Sequence, residues 1–271
     1  MFTRDPRFVL ALVFVAAGLL AGCQREEISK EEAAFFEELD QRREATAEEY
    51  PETSGPEAAP ELRWDLAPGK SCVYDYTLDW KAAQGPRVGG GAAVTLTGQE
   101  GGGGKVAASG RETTVAGADA HPAAGRFASG SFEIDARGAV QGESPAYAVL
   151  PKFFLLPDEP LDVGQSAPAS GAFTFLVGEK TEVTLPAEGK TTLAGYSEVN
   201  GRTCARLVTE LAVNREHEAE GKAPACDARF FAVRYFEVSA GVLVSGHAFI
   251  EKGVGEGDSA AGFAVLTLRE E

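Results

Sequence analysis

The chain has 271 residues and a formal net charge of −16, from 25 Lys and Arg against 41 Asp and Glu. Hydrophobic residues make up 44% of it, which is enough for a sizeable core in one or two domains. The acidic balance argues against binding to nucleic acid, which needs a basic face, and only three His residues are present, so we expect no metal site and no cofactor.

The first 22 residues have the pattern of an export signal. Arg4 and Arg7 precede residues 8–20, a run without any charge. A membrane-spanning helix needs roughly 20 apolar residues, so this shorter run is typical of a signal peptide. It ends in Leu20-Ala21-Gly22-Cys23, which resembles the lipobox of bacterial lipoproteins.

The resemblance implies that residues 1–22 are removed and that the thiol of Cys23 carries the acyl chains that anchor the protein to a membrane. It also implies a location in the cell envelope. Because Gln24 rather than Asp follows the cysteine, the expected place in a Gram-negative host is the outer membrane, on its periplasmic or surface face. The alternative is an ordinary secretory signal in which Cys23 is incidental.

Residues 23–61 form an acidic segment with 13 Asp and Glu against 4 Lys and Arg. Its first part is rich in Glu, Ala, Leu and Arg, which favour helix, and the Pro-rich residues 51–60 predict a disordered linker. We therefore expect a solvated, partly helical tether that holds the body clear of the membrane. Docking of the helix on a partner or on the chain's own body is the alternative.

From residue 62 onwards apolar and polar residues alternate, as in half-buried strands. Residues 230–238 are apolar on both faces, which predicts a central strand, and Asn200-Gly201 predicts a type I′ hairpin turn. The pattern predicts an all-β domain over 62–271, built as a curved antiparallel sheet or incomplete barrel of about ten to twelve strands.

Residues 147–156 (YAVLPKFFLL) interrupt the alternation and predict a short helix or a buried loop. A weak repeat lies on either side of them, since residues 131–136 (SFEIDA) are similar to residues 235–240 (YFEVSA). This similarity suggests a duplication, with related halves at 62–145 and 170–271.

Besides Cys23, the chain has Cys72, Cys204 and Cys226. Exported proteins retain disulfides, and an odd number of cysteines leaves at least one thiol. Proximity in sequence predicts a disulfide between Cys204 and Cys226, although a simple hairpin would place Cys204 opposite a residue near Phe236. Cys72 is expected to be a small buried hydrophobic residue.

Motifs of common enzyme classes are incomplete. Residues 164–168 lack the second Gly of a nucleophile elbow, and the His217-Glu218 pair lacks the second His of a zinc protease. His247 lies in an apolar strand, where a core histidine is the usual explanation. We predict no catalytic residues and no enzyme activity; an enzyme of unrecognised type is the alternative.

Aromatic residues on the predicted strand faces suggest a binding role. They are Tyr74, Tyr76, Trp80, Phe173, Phe175, Phe230 and Phe236. With the lipobox, this architecture resembles the half-barrel lipid-binding lipoproteins of the cell envelope. The resemblance implies a non-catalytic envelope lipoprotein that binds a lipid or another apolar ligand at these residues. The alternatives are that the aromatics only fill the core, and that the protein is a structural or protein-interaction module with an envelope protein as its partner.

Overall fold

The computed structural model describes residues 30–47, 50–82, 87–114, 130–142, 149–177, 181–214, 226–254 and 258–270. Helix α1 spans Lys30–Ala47, and a short 3₁₀ helix spans Leu150–Phe153. The strands among these residues are β1 (Glu52–Thr53), β2 (Ser71–Ala82), β3 (Arg87–Gly98), β4 (Gly104–Thr114), β5 (Gly130–Ile134), β6 (Val140–Gln141), β7 (Ser166–Val177), β8 (Thr181–Val199), β9 (Arg202–Asn214), β10 (Cys226–Glu237), β11 (Val242–Val254) and β12 (Asp258–Leu268).

All twelve strands belong to one antiparallel sheet that is not closed. Their order is β1-β8-β9-β10-β11-β12-β2-β3-β4-β5-β6, and β7 also pairs with β8, along the same edge as β1. A β-bulge between Leu193 and Gly195 bends β8, so that β7 pairs before the bend and β1 after it. The predicted all-β fold of ten to twelve antiparallel strands is confirmed.

The sheet curls around residues 149–157. Phe154 packs on Phe132 of β5, with 6.0 Å between ring centroids, and the Nζ atom of Lys152 lies 4.3 Å from the ring centroid of Phe173 in β7. A flat sheet would separate β5 from β7 by nine strand spacings, about 43 Å. Because Lys152 and Phe154 are only two residues apart, the two sides of the sheet must approach each other. We call the concave side the inner face and the opposite side the outer face.

Tight turns close one end of the sheet, which we call the lower end. They are formed by residues 99–103, 135–139, 200–201 and 238–241. In the turn at 200–201, Asn200 and Gly201 have φ angles of 51° and 74°, as a type I′ turn requires, so this predicted hairpin is confirmed. At the opposite, upper end β2, β7, β9 and β11 reach their last residues, and the residues that follow them lie outside the described part of the chain.

The backbone of Trp64 and Asp65 is hydrogen-bonded to three of the lower turns. Its backbone N–H donates to the carbonyl oxygen of Ala136 at 2.8 Å, and its carbonyl accepts from the N–H of Gly103 at 3.2 Å. The N–H of Asp65 donates to the carbonyl of Gly241 at 3.3 Å. These hydrogen bonds hold the three turns to the segment that contains Trp64.

The indole of Trp64 is the centre of the lower core. Its N–H donates to the carbonyl of Phe154 at 2.8 Å, and its ring packs between Phe154 and Phe236, at 5.2 and 5.3 Å between centroids. A Cβ atom on Gly138 would come within 1.6 Å of the Phe154 oxygen, so only glycine fits there. Phe132 and Phe236 are equivalent positions of the predicted repeat, and both border the Trp64–Phe154 pair. The duplication itself stays a prediction.

Helix α1 covers part of the outer face. Leu39 is buried in a cluster with Phe249 and Phe263, and the hydroxyl of Tyr235 donates to the carbonyl of Thr46 at 3.3 Å. The second half of β10 is therefore buried on both faces, which confirms the central strand predicted at residues 230–238.

Part of the acidic segment 23–61 packs on the β domain, so the expectation that this segment is a solvated tether is wrong for that part. Residues 39–46 dock on the body, which was the alternative, and Glu52–Thr53 pair with β8 as strand β1. The N–H of Glu198 also donates to the carbonyl of Pro51 at 3.0 Å, so the start of the predicted disordered linker is ordered. The partners of this segment lie about 150 to 220 residues later in the chain, where local sequence patterns give no signal.

The predicted disulfide between Cys204 and Cys226 is also wrong. The β9–β10 register places Cys204 opposite Glu237, whereas Cys226 begins β10 at its other end. The Sγ atom of Cys204 instead donates to the carbonyl of Arg202 at 3.6 Å, and burial raises the pKa of the thiol to about 12. The hairpin geometry, not proximity in sequence, decides the neighbour of Cys204.

Candidate functional site

The aromatic residues predicted to face a ligand all lie on the inner face, but their surroundings differ. Three of them, Tyr74, Tyr76 and Phe236, pack against the chain's own aromatic rings. Phe230 is 2% exposed on β10. The others, Trp80, Phe173 and Phe175, surround the ammonium group of Lys252 nearer the upper end.

The first group forms part of the core. Tyr74 packs edge-on against Phe154 at 6.4 Å, and Tyr76 against Phe153 at 6.3 Å. Both tyrosines are almost fully buried, which raises the pKa of their hydroxyl groups. Beside these tyrosines, residues 149–157 occupy the inner face. The described part of the interrupting segment 147–156 is a 3₁₀ helix within a buried loop, as the sequence predicts.

The second group contains two lysines that sequence reasoning missed. The Nζ atom of Lys152 lies 4.3 Å from the ring centroid of Phe173. The Nζ atom of Lys252 lies 5.8 Å from the same centroid, 5.5 Å from that of Phe175 and 5.8 Å from that of Trp80. These five residues form what we call the lysine–aromatic site. Ammonium groups at these distances are attracted to the faces of aromatic rings.

Lys252 shows how the curl of the sheet assembles this site. It lies on β11, and β7 is four strand spacings away in the sheet. Its Nζ atom nevertheless donates to the carbonyl of Thr174 in β7 at 2.9 Å, across the concave side. Its neighbours on β10 and β12 are Ala228 and Ala260, whose small side chains leave room for the lysine.

Lys152 reaches the site from the 3₁₀ helix Leu150–Phe153, all of whose residues are buried. Its backbone N–H donates to the carbonyl of Val149 at 2.9 Å. Lys152 as a whole is 8% exposed. The lysine is therefore held by a fixed, buried backbone rather than by a mobile surface loop.

Arg234 of β10 holds this backbone in place. Its guanidinium group donates to the carbonyl of Phe153 at 3.3 Å, to the carbonyl of Leu155, and to the hydroxyl of Thr209 at 2.5 Å. Arg234 is fully buried, and burial lowers its pKa to about 9. It is a positioning residue for the segment that carries Lys152.

The inner face carries positive charge although the protein is acidic. Burial lowers the pKa of Lys152 to about 7, with a further contribution from the charge of Lys252, and burial lowers the pKa of Lys252 to about 8. Among the residues whose burial the structure describes, the buried charged side chains are Lys152 and Arg234. An anionic group is the chemical partner that such a surface favours.

The sequence contained signals for both lysines. Lys152 is the one charged residue in the segment 147–156. Lys252 continues the two-residue period of Ala248 and Ile250, which face the core. A charged residue at a core-facing position of an alternating strand is therefore a sequence signal for a buried cationic site.

Other candidate groups do not converge on this site. His247 lies on the outer face beside Phe263, at 5.9 Å between ring centroids, and His217 and Cys23 lie outside the described residues. Within the described part of the chain, no three His, Cys, Asp or Glu side chains are grouped to hold a metal ion. No helix in that part is both long and apolar enough to cross a membrane. The absence of catalysis stays a prediction.

The direction of α1 relates the site to the N-terminal segment. Leu39 packs beside Phe249 of β11, whereas Thr46 contacts Tyr235, whose partner in β11 lies four residues nearer the lower end. The helix therefore runs towards the lower end. The N-terminus of the helix is therefore directed towards the upper end, where the lysine–aromatic site lies.

Comparison with protein-family models, with curated proteins and with solved structures finds no match for this chain. Its function is therefore inferred from the geometry of its own residues.

Proposed function

We propose that this protein is a membrane-anchored lipoprotein of the cell envelope that binds a lipid or another apolar ligand, without catalysis, at the upper end of its inner face. One observation carries the proposal: the lysine–aromatic site lies at the end of the sheet to which the N-terminus of α1 points. Three of its residues, Trp80, Phe173 and Phe175, belong to the aromatic set that the sequence suggested for ligand contact.

The length of the intervening chain allows the proposed anchor to reach that end. From Leu39 back to Lys30 the helix rises about 14 Å towards the upper end. Cys23 precedes Lys30 by seven residues, which span at most about 25 Å of chain. Acyl chains on Cys23 would hold the upper end towards the membrane, so that an apolar ligand could pass between the bilayer and the site.

A structural or protein-interaction module is the second candidate. It is favoured by the lower part of the inner face, where Tyr74, Tyr76 and Phe236 pack against the chain's own residues. In this alternative the aromatic residues stabilise a scaffold, and the partner is an envelope protein.

Native mass spectrometry of the whole chain distinguishes the two candidates. The chain is expressed with its own signal in a Gram-negative host, extracted from the envelope in detergent, and measured before and after extraction with organic solvent. The Cys23→Ala variant, which cannot be acylated at that position, identifies the covalent lipid. We expect the wild-type chain to release a non-covalent amphiphile in stoichiometric amount.

Two aromatic truncations make the test specific for the site. Phe173→Ala should release less ligand, because it removes the ring that both lysines contact. Phe231→Ala removes a ring on the outer face, beside Phe249, and should release as much as the wild type. A wild-type chain that carries nothing except its covalent anchor would contradict ligand binding and favour the interaction module.

A further inference from the structure

The upper parts of β7 and β8 form an arm that extends past the end of the β8–β9 pairing. The arm consists of residues 171–177 and 181–187. We propose that it is a lid over the upper end of the inner face, which swings where β8 leaves β9 and admits the ligand when it opens. This inference rests on the proposed function and concerns how the same site is entered.

The arm is a two-stranded unit. Residues 171–177 pair with residues 181–187 along their whole length. The β8–β9 register, in contrast, ends with Glu188 opposite Ala212, and in the described part of the chain β7 pairs with β8 alone. An isolated two-stranded hairpin is only marginally stable in water, so the arm depends on its contacts with the inner face.

Pro186 explains why the β8–β9 pairing ends at this point. The N–H of Leu193 donates to the carbonyl of Gln165, so the odd-numbered residues of β8 bond to β7 and the even-numbered ones are directed towards β9. Residue 186 would therefore be the next to donate to β9, opposite Asn214, but proline has no N–H. Pro186 thus separates the arm from the rest of the sheet.

Contacts of side chains hold the arm against the inner face. Phe173 and Phe175 are each 2% exposed. The Nζ atom of Lys252 lies 5.5 Å from the ring centroid of Phe175 and donates to the carbonyl of Thr174 at 2.9 Å. By the same alternation this carbonyl is directed away from β8, towards the open edge of β7. These contacts, rather than pairing with β9, keep the arm in place.

A closed lid accounts for the dense packing of the upper end. Phe173, Phe175 and Lys152 are covered by the chain's own atoms, so a ligand reaches them only after the arm has moved away. Trp80 on β2 and Lys252 on β11 belong to the body of the sheet and stay behind. Opening therefore separates the two phenylalanines from Lys252 and Trp80, and exposes both sides of the lysine–aromatic site.

Hydrogen–deuterium exchange of the whole chain measures the opening without any ligand. The protein is purified in detergent, and mass spectrometry follows exchange in peptides from the arm and from residues 188–192, where β8 is paired with both β7 and β9. The undocked arm loses its protection because a lone hairpin is marginally stable. We expect the arm to exchange more than about tenfold faster than residues 188–192. Equal exchange in the two segments would overturn the proposal.

Two variants should change the opening in opposite directions. Lys252→Met keeps a long side chain but removes the hydrogen bond to Thr174, so exchange of the arm should become about tenfold faster. Pro186→Val supplies the missing N–H to β9, so exchange of the arm should become about fivefold slower. Both variants should leave exchange of residues 188–192 unchanged.

Lys190→Met is the matched control. Lys190 is exposed on β8 outside the arm, with its Nζ atom 3.3 Å from Oε2 of Glu210, and its loss should not alter exchange of the arm. An arm that exchanges at the wild-type rate in both Lys252→Met and Pro186→Val would contradict the proposed opening. The comparison of the two segments in the wild type decides the matter even where a variant fails to fold.

The failure of this inference differs from the failure of the proposed function. If the native mass spectrum shows a bound amphiphile but the arm exchanges no faster than residues 188–192, the ligand enters by another route and only the inference is overturned. If the arm opens but the chain carries no amphiphile, the movement admits no ligand and both are overturned.

Discussion

The upper and lower ends of the inner face use similar aromatic residues in different ways. At the lower end Trp64 and Phe154 are neutral and fully buried; the backbone of Trp64 is hydrogen-bonded to the tight turns, and its indole N–H donates to the carbonyl of Phe154. At the upper end Phe173 lies beside Lys152 and Lys252, and burying these ammonium groups disfavours their charged form. A core selected for stability alone would place apolar residues there. The lower end therefore stabilises the fold, whereas the buried charge of the upper end lowers stability, a cost that the proposed binding function would explain.

The largest expected effect is the difference in the free energy of unfolding between alanine variants of the two tryptophans. Trp64→Ala should lower the free energy of unfolding by about 3–5 kcal/mol, because it removes a fully buried ring and its hydrogen bond to Phe154. Trp80→Ala truncates a half-buried side chain and should cost much less. Urea denaturation of both variants measures the difference, and equal losses would contradict the division between the ends.

The next effect is a pH dependence at the upper end. The pKa of Lys152 is about 7 in the folded protein, below its ordinary value of 10.5, so between these values the unfolded chain binds more protons. Stability should therefore rise with pH, by on the order of 2 kcal/mol between pH 7 and pH 9.

The contribution of this group is isolated by comparing the wild type with Lys152→Met, with Lys252 and Arg234 left in place as the other charges of the inner face. We expect the variant to be the more stable at pH 7 and the gap to narrow by pH 9. A gap that does not change with pH would show that Lys152 titrates as an exposed lysine.

A smaller effect concerns helix α1, which in the proposed function directs the upper end towards the membrane anchor. Leu39→Ala should cost about 1–2 kcal/mol, since it exposes the contact with Phe249 and Phe263. Glu37→Ala alters an exposed residue of the same helix and should change little. Thermal unfolding of the two variants is the measurement. If Leu39→Ala is as stable as Glu37→Ala, the docking of α1 does not contribute to the fold.

The smallest expected effect on stability comes from an ion pair between two exposed side chains. Arg269 donates to the carboxylate of Asp75 and lowers its pKa, but both side chains are exposed. Asp75→Asn should leave the unfolding midpoint near that of the wild type at pH 7, because exposed ion pairs contribute little. Any contribution of the pair should disappear as the pH falls through the lowered pKa of Asp75. A loss comparable to that of Leu39→Ala would contradict this ranking.

Most strands of the sheet were predictable because they carry their own signals. The run of apolar residues on both faces at 230–238 predicted the central strand, and Asn200-Gly201 predicted the turn between β8 and β9, without knowledge of any partner. Within the apolar run at 147–156, the described residues from 149 onwards form a short 3₁₀ helix and a buried loop, as expected. These features depend on neighbours in sequence, which the sequence itself displays.

The site was not predictable in the same way, because it depends on contacts between distant residues. Lys152 meets Phe173 only because the sheet curls, and Lys252 meets Thr174 across four strand spacings. The predicted Cys204–Cys226 disulfide was wrong for a related reason, since it assumed that closeness in sequence is closeness in space. Alternation identifies the buried face of a strand but not what packs against it.

The most direct test of the contrast between the two ends uses the acylated whole chain in lipid vesicles. Trp64→Phe leaves Trp80 near the upper end, and Trp80→Phe leaves Trp64 at the lower end; fluorescence of each is measured in vesicles whose acyl chains are brominated. We predict strong quenching of Trp80 and little quenching of Trp64. Equal quenching of the two, or stronger quenching of Trp64, would contradict an upper end that faces the membrane and binds its lipids.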